Sequence, residues 1–325
     1  MKAIAVNTYV VDVGSFRPVV VEILTDEGIS GLGEGAVGFG IGCNAAAAMI
    51  KELAERFVVG KDVGGILSIW NDFYYDTFWG KGSGAIFYAA VSALEQALWD
   101  IKGQALGVPV YELLGGKQRE VIPIYANGWS EGKCVCPEDF AERAAAVAEQ
   151  GFSAMKMYPM SQIDPIRHLN KHIKNREVTK KVFDCAVKAV ELVRQTIGAE
   201  RELLVDVTAE GTTDMMWRFG QAIEPYNIFW YEEAMDAFDV DAYRTIRDKV
   251  NIPLATGERL YTRYGFRRLL ESRAVDVVQP DPGTCGGIME AFHIGAAAET
   301  YSARIAPHNC GGPVLTAAAL QLASC

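Results

Sequence analysis

The chain has 325 residues, of which 50% are hydrophobic and 22% charged, with a formal net charge of −10. That length suits one large domain or two ordinary ones with a sizeable core, and the acidic balance argues against nucleic acid as a partner. No apolar run approaches the ~20 residues of a membrane span, the alternating segment 1–7 lacks a signal-peptide h-region, and seven irregularly spaced cysteines give no disulfide framework. The expected compartment is the reduced cytoplasm, and Cys134-Val135-Cys136, without a partner pair, is not expected to hold zinc.

Residues 1–116 read as an α+β unit. Segments 2–11 and 18–25 alternate like strands, Asp26-Glu27-Gly28 is a turn signal, and 29–35 returns as a third strand. Helical patterns follow over 45–57, 65–78 and 85–105, the last stopped by Gly107-Val108-Pro109. Gly33-Glu34-Gly35-Ala36-Val37-Gly38 matches the dinucleotide fingerprint G-x-G-x-x-G, but its preceding strand belongs to a hairpin meander and not to a βαβ unit. The expectation there is a mobile glycine-rich loop, of the kind that closes over an active site.

Residues 117–325 repeat strand, loop and helix. Strands are expected to end at Asn127 (122–127), Tyr158 (154–158), Asp206, Glu232, Glu258, Asp281 (276–280) and His308 (304–307), with helices between them such as 137–149, 180–197 and 239–249. Seven βα units in succession favour a closed barrel over a doubly wound sheet. The connection 159–202 is long enough to carry an extra excursion. The chain stops at Cys325, inside the helix after the seventh strand, so the eighth strand and the C-terminal part of the barrel are expected to be missing from this chain.

Asp206, Glu232 and Glu258 each end a short apolar run, at equal intervals of 26 residues. Acids at successive strand ends lie side by side, where each raises the pKa of the next, and a hard divalent cation relieves that repulsion. Lys156 stands between two methionines, and alternation puts it on the same face as Tyr158. A functional cation explains it better than a snorkelling surface lysine. Asp281 and His308 end the sixth and seventh strands; a carboxylate on histidine Nδ1 fixes the tautomer and raises the basicity of the ring. His168 and His172, at i and i+4, sit in a basic, polar stretch and read as a solvated surface.

Together these residues resemble the enolase superfamily, in its mandelate racemase branch. The resemblance covers the whole chain: Gly31-Leu32-Gly33-Glu34-Gly35, Ala97-Leu98-Trp99-Asp100-Ile101-Lys102-Gly103 and Leu113-Leu114-Gly115-Gly116 look like phrases of its capping domain, and the remainder like its modified (β/α)7β barrel. The resemblance implies that Asp206, Glu232 and Glu258 bind one Mg²⁺, that His308 oriented by Asp281 is a base, and that Lys156 stabilises the second oxygen of the substrate carboxylate. It also implies symmetric homo-oligomers. The sequence departs from the family pattern at two positions. Tyr158 stands where a second basic lysine is common, and Thr208 where acid-sugar dehydratases often carry a histidine that protonates the leaving hydroxyl.

The shared step of the family is removal of a proton alpha to a carboxylate, with Mg²⁺ stabilising the ene-diolate, a pattern general to this superfamily. A tyrosine is not ionised near neutral pH unless strongly perturbed, so one competent base favours β-elimination over two-base racemisation. The expected activity is therefore Mg²⁺-dependent dehydration of a polyhydroxy sugar acid to a 2-keto-3-deoxy acid, with His308-H⁺ or Tyr158 protonating the departing hydroxyl. Epimerisation or cycloisomerisation of a similar acid, and metal binding without turnover, are the alternatives. Arg17, Trp79 and Lys81 from the first unit, and Asn127 and Thr208 from the second, are candidates for substrate contact.

Overall fold

The computed structural model describes all residues except 15, 83, 133 and 161–177. Internal contacts divide the chain into two compact units, one of Met1–Ile122, Gly257–Arg267 and Val278–Cys325, the other of Pro123–Thr256 and Arg268–Val277.

The first unit opens with an antiparallel meander, β1 (Ala3–Val10), β2 (Val19–Thr25) and β3 (Ser30–Gly35), in that order across the sheet. Val19, Val21 and Ile23 of β2 are fully buried on one face, the period of two expected of a strand with one face on a core. Helices α1 (Cys43–Phe57), α2 (Ile66–Tyr75) and α3 (Ala85–Leu106) follow. Every residue of α3 from Tyr88 to Trp99 is buried, so this helix is the axis of the unit. It ends at Gly107 (φ 68°), whose left-handed backbone closes the last turn.

The glycine-rich stretch departs from the flap expected of it. Gly33 and Gly35 are strand residues, and with Gly31 they lie against the backbone of α3. A Cβ at Gly31, Gly33 or Gly35 would come within 2.2, 1.9 or 2.9 Å of the carbonyl oxygens of Ala97, Ala93 and Ala89. Two strand residues rise about as far as four helical ones, so alternate glycines match every fourth helix residue and the two backbones touch. Close helix–strand packing, and not mobility, accounts for this part of the motif.

In the second unit, α5 (Pro137–Glu149) packs on α6 (Lys180–Ile197), and four parallel strands run side by side in chain order. They are β4 (Ala154–Met157), β5 (Glu202–Asp206), β6 (Ile228–Glu232) and β7 (Leu254–Thr256). Helices α7 (Thr213–Ile223) and α8 (Val240–Arg247) separate β5, β6 and β7 along the chain, and Asp239 caps α8 by accepting from the Ala242 N–H at 3.1 Å. The strand expected over 122–127 is reduced to one parallel bridge, Ala126 to Met155. Pro123 has no N–H to give to a ladder, and only Ala126 exchanges bonds with β4, donating to Ala154 at 3.0 Å and accepting from Lys156 at 2.9 Å. His168 and His172 lie outside the described residues.

Beyond β7 come α9 (Thr262–Glu271) and the short β8 (Val277–Val278), followed by α10 (Ile288–Thr300), β9 (Arg304–Ile305) and α11 (Pro313–Ala323), α4 (Val110–Leu113) having closed the N-terminal segment; from Val278 onward the chain belongs to the first unit. Within that unit the β8–β9 ladder outlasts the formal strands: Ala306 donates to Val278 at 3.0 Å and His308 to Pro280 at 3.2 Å. No helix among the described residues is long and apolar enough to cross a membrane.

Candidate active site

Parallel register builds the first cluster, within the second unit. Asp206 and Glu232 are direct partners across β5 and β6, and Lys156 pairs with Leu204, one step deeper. Two residues further along a strand return to the same face, so the long lysine side chain reaches up between the two acids. Its Nζ donates to Asp206 Oδ2 at 3.1 Å and to Glu232 Oε1 in a still closer contact. The three side chains are 1%, 3% and 0% exposed. Burial by itself would push the lysine down, but the Glu232 and Asp206 carboxylates outweigh it and hold the ammonium well above its ordinary pKa. Further donors satisfy the acids: Thr208 N–H reaches Asp206 Oδ1 at 2.9 Å, and Trp230 Nε1 reaches Glu232 Oε2 at 2.7 Å.

Tyr158 and Tyr125 flank the same ammonium, their ring centroids 5.4 and 5.7 Å from Nζ, a cation–π contact that adds to the ion pairs. The Tyr158 hydroxyl donates to Asn127 Oδ1 at 2.9 Å. Burial drives its pKa far up, and the Asp206 and Glu232 charges add to this against the opposing pull of Lys156. Tyr158 is therefore a neutral phenol, able to donate a hydrogen bond and unfit as a base.

The second cluster lies wholly in the first unit. His308 Nδ1 is 2.7 Å from Asp281 Oδ2, and Nε2 is 3.0 Å from Glu258 Oε2. Asp281 is itself held by the Gly283 N–H at 2.7 Å. Burial lowers the pKa of the ring, but Glu258, Asp281 and the Cys310 thiol raise it by more, so the imidazole lies well above its usual value. Glu258 follows Gly257, whose φ of +134° and the backbone N of Gln279, 3.0 Å from where a Cβ would sit, leave room for glycine alone.

Three buried residues of the first unit support this cluster from below. Gln96 of α3 donates to the carbonyl of Pro282, next to Asp281, at 2.9 Å, and pairs with the backbone of Glu34 in both directions. Glu95 accepts from Ile288 and Met289 at the start of α10, at 2.7 and 2.9 Å, and Glu34 accepts from Gly312 and Leu315 at the start of α11. Carboxylates belong at helix N-termini, where N–H groups are otherwise unpaired. Sequence reasoning missed these roles because each acid lies about 190 to 280 residues from the helix it serves. The one local signal was an adjacent Glu and Gln, at 95 and 96, in the run from Tyr88 to Trp99 that is apolar apart from these and Ser92.

The remaining candidates are placed as follows. The Arg17 N–H donates to Gly38 at 2.9 Å, and its buried Nε has no hydrogen-bond partner among the described residues. Trp79 is 82% exposed with its edge on Phe78, and Lys81 lies over the ring of Tyr75. Thr208 contacts Asp206 through its backbone.

The structure brings Asp206 and Glu232 together, and Glu258 together with His308 and Asp281. Among the described residues no three His, Cys, Asp or Glu side chains converge as a ready-made metal site. The chemistry of Asp206 and Glu232 nevertheless fits a hard divalent cation: both donors are oxygen, both are buried, and they already share one positive charge.

Residues 3–115 match the mandelate racemase/muconate lactonizing enzyme N-terminal domain family, and residues 139–325 the enolase C-terminal domain-like family. The chain is 34% identical over 322 residues to a D-galactonate dehydratase of Variovorax paradoxus, covering 99% of this chain and 78% of that protein. A member of the enolase superfamily from Salmonella Typhimurium superposes with a TM-score of 0.93 at 39% identity, covering 99% of this chain and 84% of the other. The 3,6-anhydro-D-galactonate cycloisomerase of Zobellia galactanivorans does so with a TM-score of 0.85 at 29% identity, covering 100% and 84%. The expectation that part of the barrel is missing finds no support here, since these structures span 99–100% of this chain.

Proposed function

This chain belongs to the enolase superfamily, in its mandelate racemase/muconate lactonizing enzyme branch, with the N-terminal domain and C-terminal barrel-like domain of that group, and from that membership we infer that it is a sugar-acid dehydratase. Its substrate is a small polyhydroxy carboxylate of the aldonate or aldarate type, and D-galactonate is the first compound to test, being what the Variovorax relative is named for. The observation that carries the reaction is the Asp281–His308 dyad. Asp281 holds Nδ1, and Nε2, which faces Glu258 at 3.0 Å, is the nitrogen that would exchange a proton with the substrate once it turns from that carboxylate.

Asp206 and Glu232 would hold one Mg²⁺, with Glu258 as the further ligand that the family resemblance implies, and the ion would supply the charge that steadies the substrate carboxylate. His308 takes the proton from the carbon alpha to that carboxylate. The C–O bond at the next carbon breaks, hydroxide leaves with a proton from His308-H⁺ or the neutral Tyr158 phenol, and the enol tautomerises to a 2-keto-3-deoxy acid. Lys156, charged at any pH near neutral, favours negative charge developing nearby.

Incubation of the enzyme with Mg²⁺ and D-galactonate, followed by semicarbazide, should give a 2-keto acid signal; no signal from any of a panel of aldonates and aldarates defeats the reading. Glu232→Gln should lose Mg²⁺ in a calorimetric titration, and undiminished affinity would remove Glu232 from the ligand set. Thr208, in place of the histidine common to acid-sugar dehydratases, and the likeness to the Zobellia cycloisomerase favour cycloisomerisation as the second reading. It uses the same proton abstraction and yields an isomer without loss of water, which mass spectrometry of the product distinguishes.

A further inference from the structure

Glu233, the residue after Glu232, combines an uncommon backbone with three ties. It is 1% exposed and adopts a φ of +48°, a region that side chains other than glycine and asparagine seldom enter. Its N–H donates to the Ala255 carbonyl at 3.0 Å, its carbonyl accepts from the Ala209 N–H at 2.7 Å, and its carboxylate accepts from the fully buried Thr256 hydroxyl. Thr208 and Ala209 also carry positive φ, of 50° and 55°. Thr208 is the residue whose N–H holds Asp206 Oδ1. One residue thus joins the turn behind Asp206, the end of β6 and the end of β7, all within the second unit. Left-handed backbone at three non-glycine positions persists only where its surroundings hold it there, and Glu233 supplies that hold.

We propose that Glu233 is a positioning residue for the divalent cation: by locking the Thr208–Ala209 turn and the end of β7 to β6, it sets the spacing of the Asp206 and Glu232 carboxylates. This rests on the metal reading above. A plain buried Glu–Thr contact would brace the strand ends and leave metal affinity alone. A positioning role changes affinity, because partners behind the ligands of a metal are known to tune it.

The test is calorimetric titration of Mg²⁺ into the full chain, with the metal-free melting temperature measured in parallel. Glu233→Ala should weaken Mg²⁺ by about 10–100-fold, the usual cost of removing such a partner, and Glu233→Gln, whose amide oxygen still accepts from Thr256, should restore most of it. Thr256→Val should weaken binding in the same direction, and the double variant should be no weaker than Glu233→Ala alone, because both break one tie. If Glu233→Ala does not fold, Thr256→Val decides. Wild-type affinity in Glu233→Ala and Thr256→Val, with only the melting temperature lowered, overturns the proposal, as do additive losses in the double variant. A wild-type chain that takes up no Mg²⁺ defeats the metal reading itself and is told apart by that control.

Discussion

Each unit holds one nitrogen-bearing side chain between two carboxylates, and the two arrangements differ in the nature of that group and in its access to solvent. In the second unit it is the Lys156 ammonium, 1% exposed, between Asp206 and Glu232. In the first it is the His308 imidazole, 14% exposed, between Asp281 and Glu258, the latter 25% exposed. A lysine held well above its normal pKa keeps its charge at any working pH, whereas an imidazole can give a proton up. The closed cluster is thus built for fixed charge and the more open one for proton transfer. On the proposed function, this shared arrangement of a nitrogen group between two acids would serve binding in one place and chemistry in the other.

Breaking the open cluster should have the largest effect. His308→Asn should reduce exchange of the substrate α-proton with D₂O, followed by NMR, by at least the ~10²–10⁴-fold that a general base contributes; exchange at the wild-type rate would assign the base elsewhere. The closed cluster should fail in stability. Lys156→Met leaves two buried carboxylates facing each other, and removing one partner from a buried pair costs about 3–5 kcal/mol, measurable by urea unfolding. A Lys156→Met chain as stable as wild type would mean that the acids do not rely on this ammonium.

Glu95 sharpens the contrast, because it is a buried acid whose partners are N–H groups. Burial pushes its carboxyl up to about 7, against three hydrogen bonds from Met289, Ile288 and Trp99 that pull it down. The folded chain therefore holds this proton more tightly than the unfolded chain. The contribution to stability is present below the ordinary glutamate value of 4.5 and is lost as pH rises through about 7. Relative to Glu95→Gln, the wild type should lose up to about 3 kcal/mol between those limits, read from denaturation at several pH values; a gap that does not change with pH would refute it. The smallest effect is expected of Tyr158→Phe. It removes one hydrogen bond to Asn127, about 1 kcal/mol, and should leave α-proton exchange intact; loss of exchange would make the phenol part of the base.

The parts legible in sequence were those governed by local rules. The helices over 137–149 and 180–197 were foreseen with their observed limits, because their apolar spacing, the proline start of the first and the threonine cap of the second are all local signals. The Lys156–Tyr158 alternation and the acid at the end of each of β5 and β6 were equally readable, and register turned them into one cluster. The expected strand over 122–127 failed because an apolar run does not report whether its N–H groups will find partners, and Pro123 has none to give. The glycine-rich stretch misled for a related reason: glycine signals freedom in sequence, while here it signals the close approach of α3.

The sequence by itself determined the order of the acids, the lysine and the histidine along the chain, and with it the reaction family, because strand-end chemistry depends on residue type and spacing. Tertiary structure decided which acid meets which cation. It paired Asp206 and Glu232 with Lys156, gave Glu258 to His308, and put Glu95, Gln96 and Glu34 behind the loops that carry the dyad. The physical reason is that a charge buried in a protein is stabilised by whatever partner the fold brings within hydrogen-bond reach, and distance along the chain carries no record of that.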